Sequence, residues 1–158
     1  MMTMANEKFR LLADITTDAD ATGIDVDLGR DCDEVIIVVY GKYKTGTTVS
    51  NFTINMCADG QFGQTGLNNK VYETKQFYND NLSEIVCHIL ALGERCHILE
   101  AAGSIYNSNA TRMGFGSADM GGKFHNSGFP SKIHYLHIGS INNTAIYETG
   151  AKVKVWGR

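Results

Sequence analysis

The sequence predicts an all-β protein, an antiparallel sandwich or barrel, and three observations lead there. Seventeen glycines stand against a single proline. The apolar runs are short and rich in β-branched residues, with glycine-containing turns between them. Several runs alternate apolar and polar residues with period two, the mark of a strand with one buried face. At 158 residues the chain has the length of one domain, so residues 1–158 are read as a single unit with its own core.

The elements follow in order. "KFRLLAD" (Lys8 to Asp14) opens the fold. "GIDVDL" sets Ile24, Val26 and Leu28 on one face and Asp25 and Asp27 on the other. "DEVIIVVYG" (Asp33 to Gly41) is apolar on both faces, which predicts a central strand covered on both sides. "VSNFTINM" alternates again, Phe52 and Ile54 opposing Thr53 and Asn55. Further strands are expected near Val71 to Phe77 and Ile133 to Ile138, and "AKVKVWG" makes the last. "LSEIVCHILALGERCHILEAAG" admits two readings. Leu82, Ile85, Val86 and Ile89 fit a helical stripe, yet "CHIL" occurs twice around Gly93-Glu94, which favours a hairpin turning there. From Gly103 to Ser131 the chain turns polar and glycine-rich. A loop that long is either functional or contains short strands.

Bulk composition narrows the function. An apolar fraction of 43% and a charged fraction of 20% are those of a globular protein rather than a disordered one. A net charge of −3 argues against nucleic acid as a partner, because such binding draws on phosphate neutralisation. No apolar run approaches the roughly 20 residues that span a bilayer, so no membrane partner is expected. "MMTMANEKFRLLAD" has no basic region followed by an apolar core, so synthesis and folding in a cytoplasm are expected. In that compartment Cys32, Cys57, Cys87 and Cys96 are read as free, mostly buried thiols.

The two Cys-His pairs suggest zinc, which needs ligands converging within roughly 2.0–2.3 Å of one point. A turn on Gly93-Glu94 puts His88 opposite Leu99 and His97 opposite Leu90, leaving the histidines about 7–8 Å apart. Cys87 and Cys96 are then about 13 Å apart along the ladder. One helix would set the repeats about 13.5 Å apart. Structural histidines and buried thiols are therefore expected, and no metal. His134 and His137 fall on opposite faces of a strand, which suits packing and hydrogen bonding rather than joint chelation. The early aspartates (Asp14, Asp18, Asp20, Asp25, Asp27, Asp31, Asp33) lack the ordered spacing of a calcium loop and read as turn and solvent-face residues.

"MGGKF" lacks the hydroxyl residue after lysine that a phosphate loop needs. "GFGSAD" carries Asp119 where the dinucleotide motif has its third glycine. No GxSxG occurs. The expectation is a non-enzyme with no catalytic residue and no cofactor. Tyr106, Phe115, Phe124 and Phe129 in or beside the long loop read either as a platform for a sugar or a protein partner, or as plugs at the end of the sandwich.

Against this background two segments resemble β-sandwich domains of virion proteins of tailed bacteriophages. The closing "HYLHIGSINNTAIYETGAKVKVWGR" is similar to their apolar strand, short polar loop and final G-x-K-V strand. "LLADITTDADATGIDVDLGRDCDEVIIVVYG" resembles their opening, two short strands before an apolar central one. The resemblance implies a jelly-roll-like sandwich on the virion, usually oligomeric, with three-fold assembly the expected state. It carries over no functional residue. The expected function is thus a small virion structural subunit, a capsid decoration, head-fibre or tail component. Its expected partners are other virion proteins and copies of itself, with a host-surface glycan as a further one. A carbohydrate-binding module using residues 103–131 is the alternative, and a β-sandwich hydrolase the second alternative. In the last strand Ala151, Val153 and Val155 are expected to face the core. Lys152, Lys154 and Trp156 share the other face, the lysines there to discourage stray edge pairing and Trp156 as a candidate partner contact.

Overall fold

The computed structural model describes residues 7–45, 49–57, 70–78, 81–92, 95–106, 123–124, 132–140 and 145–158. Among them are eleven strands and no helix: β1 (Arg10–Thr16), β2 (Gly23–Cys32), β3 (Glu34–Thr45), β4 (Val49–Cys57), β5 (Lys70–Tyr78), β6 (Asn81–Leu92), β7 (Arg95–Tyr106), β8 (Lys123–Phe124), β9 (Ile133–Ser140), β10 (Ala145–Tyr147) and β11 (Lys152–Gly157). They form two antiparallel sheets. The larger runs β1-β11-β3-β6-β7-β8, with β10 also on β3, and the smaller runs β2-β9-β4-β5. β1 pairs with β11, β2 with β9, β3 with β6 and β4 with β5, four nested pairs dealt alternately to the two sheets. That nesting is the jelly-roll arrangement.

Period-two alternation builds the core between the sheets. Val35, Ile37 and Val39 of β3, Ile85, Cys87 and Ile89 of β6, and Val153 and Val155 of β11 line one side. Ile24, Val26 and Leu28 of β2, Leu136 and Ile138 of β9, and Ile54 and Met56 of β4 line the other. Each such side chain contributes about 1.5–3 kcal/mol when fully withdrawn from water. β11 lies between β1 and β3, so it is an interior strand. Its lysines therefore do not guard an edge, as the sequence had suggested, because both of its backbone sides are paired. Ala151, Val153 and Val155 are buried, as their spacing predicted.

The turn into β11 is set by local chemistry. Gly150 has φ +90°, a left-handed conformation that glycine adopts without a Cβ penalty. Asp20 caps the turn, accepting from the Thr149 N–H at 3.0 Å and its hydroxyl at 3.2 Å. The region read as hairpin or helix is the hairpin β6–β7, with Leu92 opposite Arg95 and Leu90 opposite His97 as expected. A register shift follows: Ile89 faces Ile98 but His88 faces Glu100 rather than Leu99. Leu99 is the extra residue of this bulge and is 52% exposed. The stretch read as loop from Gly103 begins as strand, since β7 continues to Tyr106.

Candidate functional site

The outer face of the larger sheet is the first candidate. β3 was expected to be covered on both sides; among the described residues its inner face is buried and its outer face is only partly covered. Its inward residues are buried, whereas Ile36 and Val38 are half-buried and Tyr40 is 41% exposed. Register extends this apolar column sideways. Ile36 stands between Trp156 of β11 and His88 of β6, with Leu11 beyond Trp156. Val38 stands between Lys154 and Val86, and Tyr40 between Lys152 and Glu84. Leu11 and Val86 are exposed. Lys154 pairs with Asp14 across β1 at 3.1 Å. The result is an apolar column flanked by lysines on its β11 side and by a glutamate on its β6 side.

A polar cluster closes one end of that face. Glu34 is buried and accepts from the Arg158 Nε–H and from His88 Nε2 at 2.6 Å. Since a carboxylate only accepts, the His88 ring must carry its proton on Nε2 in this contact. Arg158 also sits over the Phe9 ring at 4.8 Å, and Phe9 meets His88 edge-on at 5.9 Å. Burial pushes the Glu34 carboxyl up, but the hydrogen bonds and charges of Arg158 and His88 together hold it below the usual glutamate range.

The outer face of the smaller sheet carries the second candidate, a row of aspartate–histidine pairs. Asp25 of β2 accepts from His137 Nδ1 of β9 at 2.6 Å, and the imidazole is buried. In the tautomer that donates from Nδ1, Nε2 is left as an acceptor, and it is buried with no hydrogen-bond partner among the described residues. The ring lies over Gly23, where a Cβ would stand 2.3 Å from its Cε1. Gly139, directly opposite Gly23, leaves the other half of the slot open. Thr53, opposite Gly139 on β4, is also buried, and its Oγ1 has no hydrogen-bond partner among the described residues. His134 takes different carboxylates, with Nδ1 at 2.8 Å from Asp31 and Nε2 at 3.2 Å from Asp27. The two histidines thus do not converge on one carboxylate, although both reach aspartates of the same face of β2 rather than opposite faces as expected. Among the described residues no group of three or more histidine, cysteine or acidic side chains is placed to hold a metal ion.

Of the aromatic residues singled out from the sequence, Trp156 lies on the outer face described above, half-buried between Leu11 and Ile36. Tyr106 and Phe124 are not brought together. Tyr106 faces Leu82 at one end of β7 and Phe124 faces Arg95 at the other, a separation of about 36 Å at the usual strand rise. Phe115 and Phe129 lie outside the described residues. Cys32, Cys57 and Cys87 are free and buried. Burial, with Asp25 adding to it, pushes the Cys57 thiol up to about 11. Sequence reasoning missed the Glu34–His88–Arg158 cluster and the Asp25–His137 pair. Alternation put Asp25 on an outward face, but its partner 112 residues away carries no local signal. Comparison with protein-family models, with curated proteins and with solved structures finds no match.

Proposed function

We propose that the chain is a structural subunit of a tailed-bacteriophage particle, a capsid decoration, head-fibre or tail component. It is made in the host cytoplasm and works on the virion by protein–protein contact, with host-surface binding as an accessory role. The single observation that carries this reading is the outward apolar column of β3. A strand that buries Val35, Ile37 and Val39 also offers Ile36, Val38 and Tyr40 to the outside, beside exposed Leu11 and Val86. A contiguous apolar surface rimmed by charge marks a contact surface. The resemblance of both terminal segments to phage sandwich domains supplies the class of assembly. Negative-stain imaging of purified particles with a gold-labelled antibody to the chain is the test. Regular labelling of heads or tails is expected, and particles free of label would refute the reading.

A further inference from the structure

The charges on either side of the β3 column are unequal, and that inequality selects a partner. Lys152 and Lys154 form a basic column on β11, one strand to the left of β3, while Glu84 lies on β6, one strand to the right. Lys152 and Glu84 share the row of Tyr40, both are exposed, and neither has an ion-pair partner among the described residues. They are two strands apart, about 9.5 Å, so Tyr40 separates them within one chain.

From this we infer that the outer face of the larger sheet binds a second copy of this chain, face to face, about a two-fold axis running along β3. Such a rotation exchanges left and right while keeping the rows. It lays β3 on β3, so Ile36, Val38 and Tyr40 meet their own counterparts. β11 of each copy then lies over β6 of the other. Lys152 comes over the partner's Glu84 in the same row, and the partner's Lys152 over Glu84, both charge pairs formed at once as an isologous contact requires. In the first row Trp156 falls over His88. Turning the copy about an axis across the strands instead lays β11 on β11 and β6 on β6, so neither Lys152–Glu84 pair forms.

The size of the face suits a stable pair. Five strands about 4.8 Å apart make it roughly 24 Å wide, and the nine residues from Glu34 to Lys42 make it roughly 30 Å long. That is a flat area of about 700 Å², close to the roughly 800 Å² per partner of a standard interface.

This inference rests on the reading of the chain as an assembling subunit, and charge reversal tests it separately. Sedimentation equilibrium of the full chain is expected to give twice the 17.3 kDa chain mass. Lys152→Glu and Glu84→Lys each place like charges in both pairs of the dimer, so each is expected to weaken association by about tenfold or more. The double variant K152E/E84K restores opposite charges and is expected to recover the wild-type dissociation constant within about threefold. A monomer, a trimer, single reversals without effect, or a double variant as weak as the singles would overturn the two-fold contact. Particle imaging separates the two ideas. Labelled virions with a monomeric chain leave the virion reading standing and remove the contact, whereas a charge-reversible dimer with unlabelled virions does the opposite.

Discussion

Gly23→Ala is the substitution whose consequence follows most directly from geometry. Its φ is not among the positive values, so alanine suits the backbone, and in a strand the change alone should stabilise slightly. The obstacle is the imidazole above it. A Cβ at Gly23 would stand 2.3 Å from His137 Cε1 and 2.6 Å from Nε2. The ring is tethered, because Nδ1 is tied to Asp25 at 2.6 Å. It must swing out and give up a hydrogen bond to a carboxylate, worth about 1.5–3 kcal/mol, with Asp25 half-exposed and therefore at the lower end. Crowding the slot adds about 1 kcal/mol. The expected loss is about 2–3 kcal/mol, or a fall in melting temperature of roughly 4–12 °C for a chain of this length.

The assay is urea unfolding of wild type, Gly23→Ala, His137→Ala and the double variant. With the imidazole gone, Gly23→Ala should become neutral or stabilising by about 0.5 kcal/mol. A coupling energy of about 2 kcal/mol is therefore expected between the two positions. Equal losses from Gly23→Ala in both backgrounds would refute the slot and show that the backbone, not the ring, needs glycine there.

Three further outcomes are expected. Deleting residues 150–158 removes the strand that joins β1 to β3, so the truncated chain should be insoluble or lack a cooperative melt by circular dichroism; a cooperative melt would show β11 to be dispensable. Glu34 has a carboxyl held below its usual value near 4.5, so its contribution is complete above that value and is lost as the pH falls through the lower folded-state one. Glu34→Gln should therefore narrow the gap between stability near pH 7 and near pH 3, measured by urea midpoints, and an unchanged gap would count against the cluster. The Cys57 thiol, pushed up to about 11, leaves about one part in a thousand as thiolate at pH 8; iodoacetamide mass spectrometry should find it unmodified in the native chain and modified in urea.

How much of this was legible in the sequence depends on how far apart the interacting residues lie. Strands with one buried face announced themselves, because Ile24, Val26 and Leu28, or Val153 and Val155, repeat at the period of the pleat itself. The β6–β7 hairpin was legible from the repeated "CHIL", and the expected pairing of Leu92 with Arg95 holds as far as Ile89 and Ile98. The bulge at Leu99 was not, since one inserted residue leaves no mark in composition. β3 misled in an informative way. Apolar residues on both faces predicted two covered faces, whereas on the outer one Ile36 and Val38 are half-buried and Tyr40 is 41% exposed. Thr53 and Asn55 form the polar face of an alternating strand, the face such a pattern usually turns to water, yet both are buried. The charged pairs were the least legible, because Asp25 with His137, and Glu34 with Arg158, lie more than a hundred residues apart. Only the nested topology brings them together.

That nesting also fixes when a contact face can exist. β1 and β11, the first and last strands described, are neighbours, and the middle of the larger sheet is assembled from strands far apart in sequence. Loop closure over such distances must be met before the pairing rewards it, so this sheet is completed late and slowly. The column of Ile36, Val38 and Tyr40 is present once β3 pairs with β6, but the lysines that flank it come only with β11. Before β11 docks, β3 offers an apolar face and an unpaired backbone edge, a combination prone to unspecific association. After it docks, the edge is filled and Lys152 stands in the row that faces the other copy's Glu84 in the proposed pair. In the two-fold contact proposed above, the residues that select the correct partner are thus delivered by the same strand that removes the incorrect one. Substitutions that slow β11 docking, such as replacing Gly150 at its left-handed turn, should therefore raise aggregation during refolding more than they lower the stability of the finished fold. Light scattering during dilution from urea, set beside the equilibrium midpoint, would separate the two, and a loss of stability without added scattering would refute the link.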